Sequence, residues 1–415
     1  MRMKRREFIG KSLAASMAFS SLAAVAGSSN SQHLVATPQD RARYLARMLD
    51  TLCTQFGPRF AGSQDYDRAA ELIREQLDLA VPETELDWFS FEGWRLLEEP
   101  IFYCGGHALE CYAAFGSQAP PEGGARGLLV RLEGDTPFAI VDASSRQVLA
   151  HVKISTYGRA VTGVIDLAGA GPQIPTICIG RQDVVYLEAA VVDNAPAHLH
   201  FKAESVPNTR TSNIIGTLPG QTDEEIVVFA HADTQYNTQG ANDNTASLII
   251  VLMLAHALSG TRPKRTVTFM GTGAEEYNLF GARHFVERRA AAGTLDRIKF
   301  CVNFDSLTYG LNLYVHSNDE QLVGIMASIQ DDLQLHNTFD PAYPIAFEYP
   351  GAVRSEAQFF SDAGVRTIDL NSRGYDEQQL PLWHRPEDTP ATVPLDCAEN
   401  GFLVFNEYLR RLQAL

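Results

Sequence analysis

Seven side chains in five separated segments carry the chemistry of this sequence. His231-Ala-Asp233 closes the apolar run 226–230, and Asp243 stands in Gly240-Ala-Asn-Asp-Asn244 at the start of a helical stretch. The pair Glu275-Glu276 follows the run 266–270, Asp305 follows 300–304, and His384 lies in Trp383-His-Arg-Pro-Glu-Asp-Thr389 before the last helical stretch. Brought together, these groups would load one cleft with negative charge, and like charges at short range cannot all stay ionised without a counter-charge. A divalent cation supplies it. Two histidines and several carboxylates, with no cysteine among them, suit zinc or a related metal with positions left open for water and substrate. A carboxylate has two oxygens, so one Asp can bridge two cations about 3.5–4 Å apart. Asp233, two residues beyond His231, falls on the same face of a continuing strand. There it would orient the imidazole and raise its basicity.

Positioning such groups is the task of an α/β domain. From Ser212 onward strand-like runs (226–230, 265–270, 299–304, 311–315, 365–370) alternate with helical ones (245–257, 282–292, 321–333, 394–412), which predicts a largely parallel sheet flanked by helices. Ligands of such sheets bind beyond the carboxyl ends of the strands, where the polar residues stand. Earlier in the chain, 41–55 and 66–79 have helical spacing on either side of the loop Gly57-Pro-Arg59-Phe-Ala-Gly62-Ser63. The stretch 98–203 has a different texture, short β-rich runs broken by Gly, Pro and Asp. Residues 27–40 read as a linker. Residues 1–26, with Arg5-Arg6 before an Ala- and Ser-rich apolar run and a small-x-small site at Ala24-Val-Ala26, read as a twin-arginine-type export signal. Removing it would leave no stable membrane anchor and a periplasmic or secreted protein.

The five segments, in this order, resemble the zinc exopeptidases of the M28 family over residues 206–415, and Gly57–Ser63 resembles that family's opening segment. Residues 98–203, ending Ile174-Pro-Thr-Ile-Cys-Ile-Gly180, resemble the protease-associated insert of its larger members. The resemblance implies a central mixed, mostly parallel sheet in a catalytic domain made of 41–97 and 204–415, with a smaller β-rich domain inserted at 98–203. It implies two zinc ions, one on His231 and Asp305, the other on Glu276 and His384, with Asp243 bridging. It also implies that Glu275 is the general base that takes a proton from the attacking water and returns it to the leaving amine, and that a tyrosine hydroxyl steadies the tetrahedral oxygen. Tyr375 is the candidate. The substrate implied is a peptide, cleaved at its N-terminal bond, since an acidic cleft suits a free α-ammonium. Glutaminyl cyclases share the fold with a single zinc, for which Asp243, Glu276 and His384 would suffice; the insert argues against that reading. Dipeptidases and carboxypeptidases of the same family are a further alternative. Arg354-Ser-Glu356-Ala departs from a family segment that carries Asp and His in place of the Glu and Ala.

Composition closes other avenues. With 34 basic against 50 acidic side chains the net charge is −16, which repels phosphate backbones and makes nucleic acid an unsuitable partner. His198-x-His200 looks like a ligand pair but sits in the insert without partner carboxylates. Among the six cysteines, Cys104 and Cys111 are spaced to close a hairpin by a disulfide, with buried free thiols as the alternative. The insert is a candidate lid or homodimer surface.

Overall fold

A computed structural model describes residues 30–415 apart from 135–136, 156, 163–173, 311–312, 334–345, 349–352, 354 and 373–381. Tyr375, Arg354 and the signal segment 1–26 lie outside the described residues.

One mixed sheet organises the chain. Its strands are β1 (Glu83–Cys104), β2 (His107–Leu109), β3 (Cys111–Ala113), β4 (Ala125–Arg131), β5 (Phe138–Val141), β6 (Val148–Ile154), β7 (Thr176–Ile179), β8 (Pro196–Leu218), β9 (Thr222–His231), β10 (Arg265–Thr272), β11 (Ile298–Phe304), β12 (Leu313–Ser317), β13 (Ala346–Glu348) and β14 (Arg366–Ser372). At its centre β10, β9, β11 and β14 run parallel; β8 and β12 flank them antiparallel. The core of β9, Ile226 to Ala230, is buried throughout, as a parallel strand covered on both faces must be.

Helices cover both faces. On one lie α1 (Pro38–Leu49), α2 (Gln64–Ala80), α4 (Ala246–Leu258), α6 (Glu320–Asp332) and α8 (Leu395–Ala414), with α3 (Val184–Val192) in the insert. On the other, α5 (Phe280–Ala291) and α7 (Gln358–Asp362) pack Phe285 and Phe360 under Phe229 and Met270. Helix α4 is apolar all round and buried from Ala246 to His256, which identifies it as the central core helix. The apolar stretch Ala241–Leu258 is long enough to cross a membrane, yet 89% of it is buried inside the protein.

Two expectations need correction. Residues 30–40 are not a free linker: Ser31–Leu34 form a 3-10 turn whose Ser31 and Val35 are buried, and α1 already starts at Pro38, capped by Thr37 with Asp40 returning the bond. The division at 97/98 and 203/204 falls inside continuous strands. β1 and β8 pair antiparallel from Glu83↔Thr217 to Cys104↔Ala197, and shifts of register between Phe91 and Gly93 and between Leu96 and Glu98, rather than a linker, mark the passage into the insert. The insert has its own buried cluster around Phe102, Phe138, Ile140, Leu199 and Phe201, which also takes in Ala274 and Tyr277 from beside the Glu275-Glu276 pair. All six cysteines are buried free thiols, Cys104 and Cys111 included.

Candidate metal centre

The five segments converge at the carboxyl ends of β9, β10 and β11. His231 is the last residue of β9, Glu275 and Glu276 follow β10, and Asp305 follows β11. Tight turns present them: Ala274, Ser306 and His384 adopt left-handed backbone with φ of +57°, +53° and +55°. Such non-glycine residues are held there only where the surroundings over-determine them, and they cluster at functional sites. Gly240 is also left-handed, and a Cβ on it would lie 2.4 Å from the Asp243 carbonyl oxygen, so only glycine fits that turn.

Asp243 is the hub. Its Oδ1 lies 3.2 Å from Nε2 of His231 and its Oδ2 lies 3.5 Å from Nε2 of His384. His384 Nε2 is also 3.1 Å from Glu276 Oε2, while His231 Nε2 is 3.8 Å from both Glu275 Oε2 and Asp305 Oδ1. Both imidazoles have their Nδ1 committed to a backbone carbonyl that can only accept: His231 donates to Asp233 O at 3.0 Å, and His384 to Thr162 O at 2.7 Å. Each Nε2 is thereby the atom turned to the carboxylates, the tautomer a metal ligand needs.

Electrostatics fit a cation. Burial opposes charge on His231, but Glu275, Asp243 and Asp305 together hold its imidazolium well above the ordinary histidine range. His384 is likewise raised to about 9, burial being outweighed by Glu276 and Asp243. Glu275 is pushed well up by burial and by Glu276 and Asp305. Among the described residues, Glu276 Oε1 is buried without a hydrogen-bond partner. Two imidazoles with ligand-ready nitrogens and four carboxylates, one of them facing both histidines, suit zinc or a similar divalent ion. His231, Asp243 and Glu276 on one hand, and His231, Glu275 and Asp305 on the other, each offer ligand atoms within 4.8 Å of one another.

Asp233 sits elsewhere than expected. Its Oδ1 is 3.9 Å from His231 Nδ1, and its carboxylate accepts instead from the backbone N–H groups of Glu275 (3.1 Å) and Glu276 (3.2 Å). A strand that ends at His231 releases Asp233 from the two-residue alternation, so its carbonyl takes the imidazole and its carboxylate anchors the neighbouring turn. Other supports carried weaker signals. Gln235 donates to Glu276 Oε2 at 2.8 Å. Asp388 accepts the backbone N–H groups of Asn242 and Asp243. Asn244 donates to Phe304 O and accepts from Ser306 N, bracing Asp305. Buried Arg59, in the opening loop, ties Leu52, Ala232 and Gln239 carbonyls together behind the site. Asp388 stands within the Trp-His loop motif and Arg59 within the opening loop; Gln235 had no motif to reveal it. His198 and His200 are outside the centre, His200 pairing with Glu98 at 3.0 Å.

The sequence model of Peptidase family M28 matches residues 213–406. Carboxypeptidase Q of Rattus norvegicus is 24% identical over 80% of this chain and 76% of its own length. Aminopeptidase YwaD of Bacillus subtilis is 24% identical over 84% of this chain and 80% of its own. Among solved structures, BSAP, a zinc aminopeptidase from Bacillus subtilis, covers 89% of this chain and 94% of its own at TM-score 0.69 and 20% identity. A glutaminyl cyclase from an Acidobacteriales bacterium has TM-score 0.54 and 14% identity over 90% of this chain and 95% of its own.

Proposed function

We propose, from the match of the Peptidase family M28 model to residues 213–406, that this chain is an exported aminopeptidase of that family with two zinc ions held by His231, Asp243, Glu276, Asp305 and His384. The observation that carries the reading is the placing of the two oxygens of Asp243, one toward each histidine Nε2. A carboxylate with one oxygen toward each imidazole supports a paired metal site, in which Asp243 would serve both ions. Bound zinc supplies Lewis acidity toward the scissile carbonyl and acidifies the attacking water.

The chain's own residues do the rest. Glu275 and Asp305 are the site's exposed edge, with side chains 14% and 30% accessible against 7% or less for the other four, so substrate arrives on their side. Burial and its acidic neighbours raise Glu275, which suits a group that must accept a proton and give it back to the leaving amine. The same carboxylates favour a substrate with a free α-ammonium. The arginines beside His384 are already engaged: Arg385 pairs with Glu110 and Glu387, and Arg159 with the same two. They do not offer a ready seat for a terminal carboxylate. Residues 1–26 are proposed to direct export, and a peptide is the proposed partner.

The test is mass spectrometry of products after zinc-reconstituted protein meets unblocked, N-blocked and Gln-initiated peptides. Loss of one N-terminal residue from unblocked peptides alone is the expected result. Trimming of blocked peptides from the other end would replace it with a carboxypeptidase. Ammonia loss from Gln-initiated peptides without a residue lost would install the cyclase, the second reading.

A further inference from the structure

The two halves of the centre are braced differently. Among the described residues, the supports on the His231 and Asp305 side come from the catalytic part of the chain: Asp233 O takes His231 Nδ1, Asp305 N donates to Leu370 O, and Ser306 N donates to Asn244. On the Glu276 and His384 side the insert adds supports of its own to those of Asp233, Gln235 and Asn237. Thr162 O takes His384 Nδ1 at 2.7 Å, and Thr162 N and Oγ1 both point back at the His384 carbonyl. Tyr277, next to Glu276, has its ring 3.9 Å from that of Phe115 at 86°. Tyr236, next to the Gln235 that donates to Glu276, sends its hydroxyl to Ala113 O at 2.9 Å. The contact is locked by Arg385, fully buried, which donates to Ala160 O and pairs with Glu110 of the insert at 2.9 Å.

We propose that the insert is an obligatory part of one of the two metal positions, the one formed by Glu276 and His384, and that Arg385 and Tyr236 are positioning residues that couple insert docking to metal affinity there. The inference rests on the dizinc reading above. Partners that hold a ligating histidine by its second nitrogen set its orientation and basicity, and losing them typically lowers metal affinity 10- to 100-fold. A carbonyl borrowed from another part of the fold makes that affinity depend on docking. Linkage makes the dependence mutual: zinc at His384 must stabilise the docked insert by the same factor that docking strengthens zinc. Among the described residues, no group of the insert hydrogen-bonds to His231 or Asp305, so the insert reaches that position only through the shared Asp243.

Two measurements decide it. Competition with a fluorescent chelator on the full chain should resolve two zinc steps, with His384→Ala identifying which belongs to His384. Tyr236→Phe and Arg385→Lys, which keep bulk and charge, should each weaken that step about 10-fold and leave the other within twofold. In the unaltered protein, amide exchange in 111–116 and 157–162 should slow when zinc is added, which requires no variant to fold. Equal weakening of both steps, or a lower melting temperature with both steps intact, would show a merely structural contact and overturn the proposal. So would insert amides indifferent to zinc. Failure of the unaltered chain to bind any zinc would instead remove the dizinc reading, and this inference with it.

Discussion

His384 Nε2 lies 3.5 Å from Oδ2 of Asp243, whose other oxygen faces His231. The two ligand groups are therefore not independent, and a change at Asp243 is felt by both. Asp243→Asn replaces one of the two oxygens with an amide that cannot ligate, so zinc bound per chain should fall from two to one or fewer. Metal analysis after gel filtration measures this. Two zinc ions retained at unchanged affinity would refute the bridge.

Glu275 differs from its neighbour Glu276 in facing the open edge of the site. Glu275→Gln keeps shape and removes the proton acceptor. Turnover should fall about 10²- to 10⁴-fold, the usual worth of a positioned acid-base group, while zinc content stays at the unaltered level. Retained turnover would shift the role of base elsewhere.

Asp233 accepts two backbone N–H groups, of Glu275 and Glu276, with its two oxygens. Asp233→Asn sets an NH2 donor against one of them. An unsatisfied buried donor costs about 1–3 kcal/mol, so urea unfolding of the metal-free protein should show a loss of that order. Turnover should drop with it, because the displaced turn carries Glu275. Unchanged stability and turnover would mean the turn holds itself.

How much of this could be read in the residues follows from what kind of group did the work. The apolar runs ending at Ala230, Met270 and Phe304 announced β9, β10 and β11, and the acidic or histidine residues soon after each one marked the sheet edge, so the residues that converge there were legible. Helices with capped, periodic sequences, such as Gln64–Ala80 behind Ser63, were legible too. β1 and β8 were not, because as an extended ribbon much of their length alternates only weakly between exposed and buried positions. The role of Thr162 was invisible for a different reason: it acts through its backbone carbonyl, 222 residues from His384 in sequence, and a carbonyl has no signature in a side-chain pattern. Asp233 misled because strand alternation was extended past the residue where β9 ends.

His256 gives the last prediction, away from the metal. It lies fully buried in α4, with Nδ1 2.8 Å from Ser31 Oγ, Nε2 3.1 Å from Tyr44 OH and Arg47 and His33 nearby. Burial, with Arg47 and His33 beside it, lowers its pKa to about 4 from an ordinary 6.5. The unfolded chain therefore binds the proton first. Stability is fully present above pH 6.5 and is lost as pH falls toward 4, by up to about 3 kcal/mol for a shift of this size. Urea unfolding of the metal-free protein at pH 7.5, 6 and 5 measures the slope. His256→Gln, which cannot titrate, should be less stable at pH 7.5 but lose distinctly less between pH 6.5 and 5 than the unaltered chain. Equal slopes in the two proteins would assign the acid sensitivity to other groups.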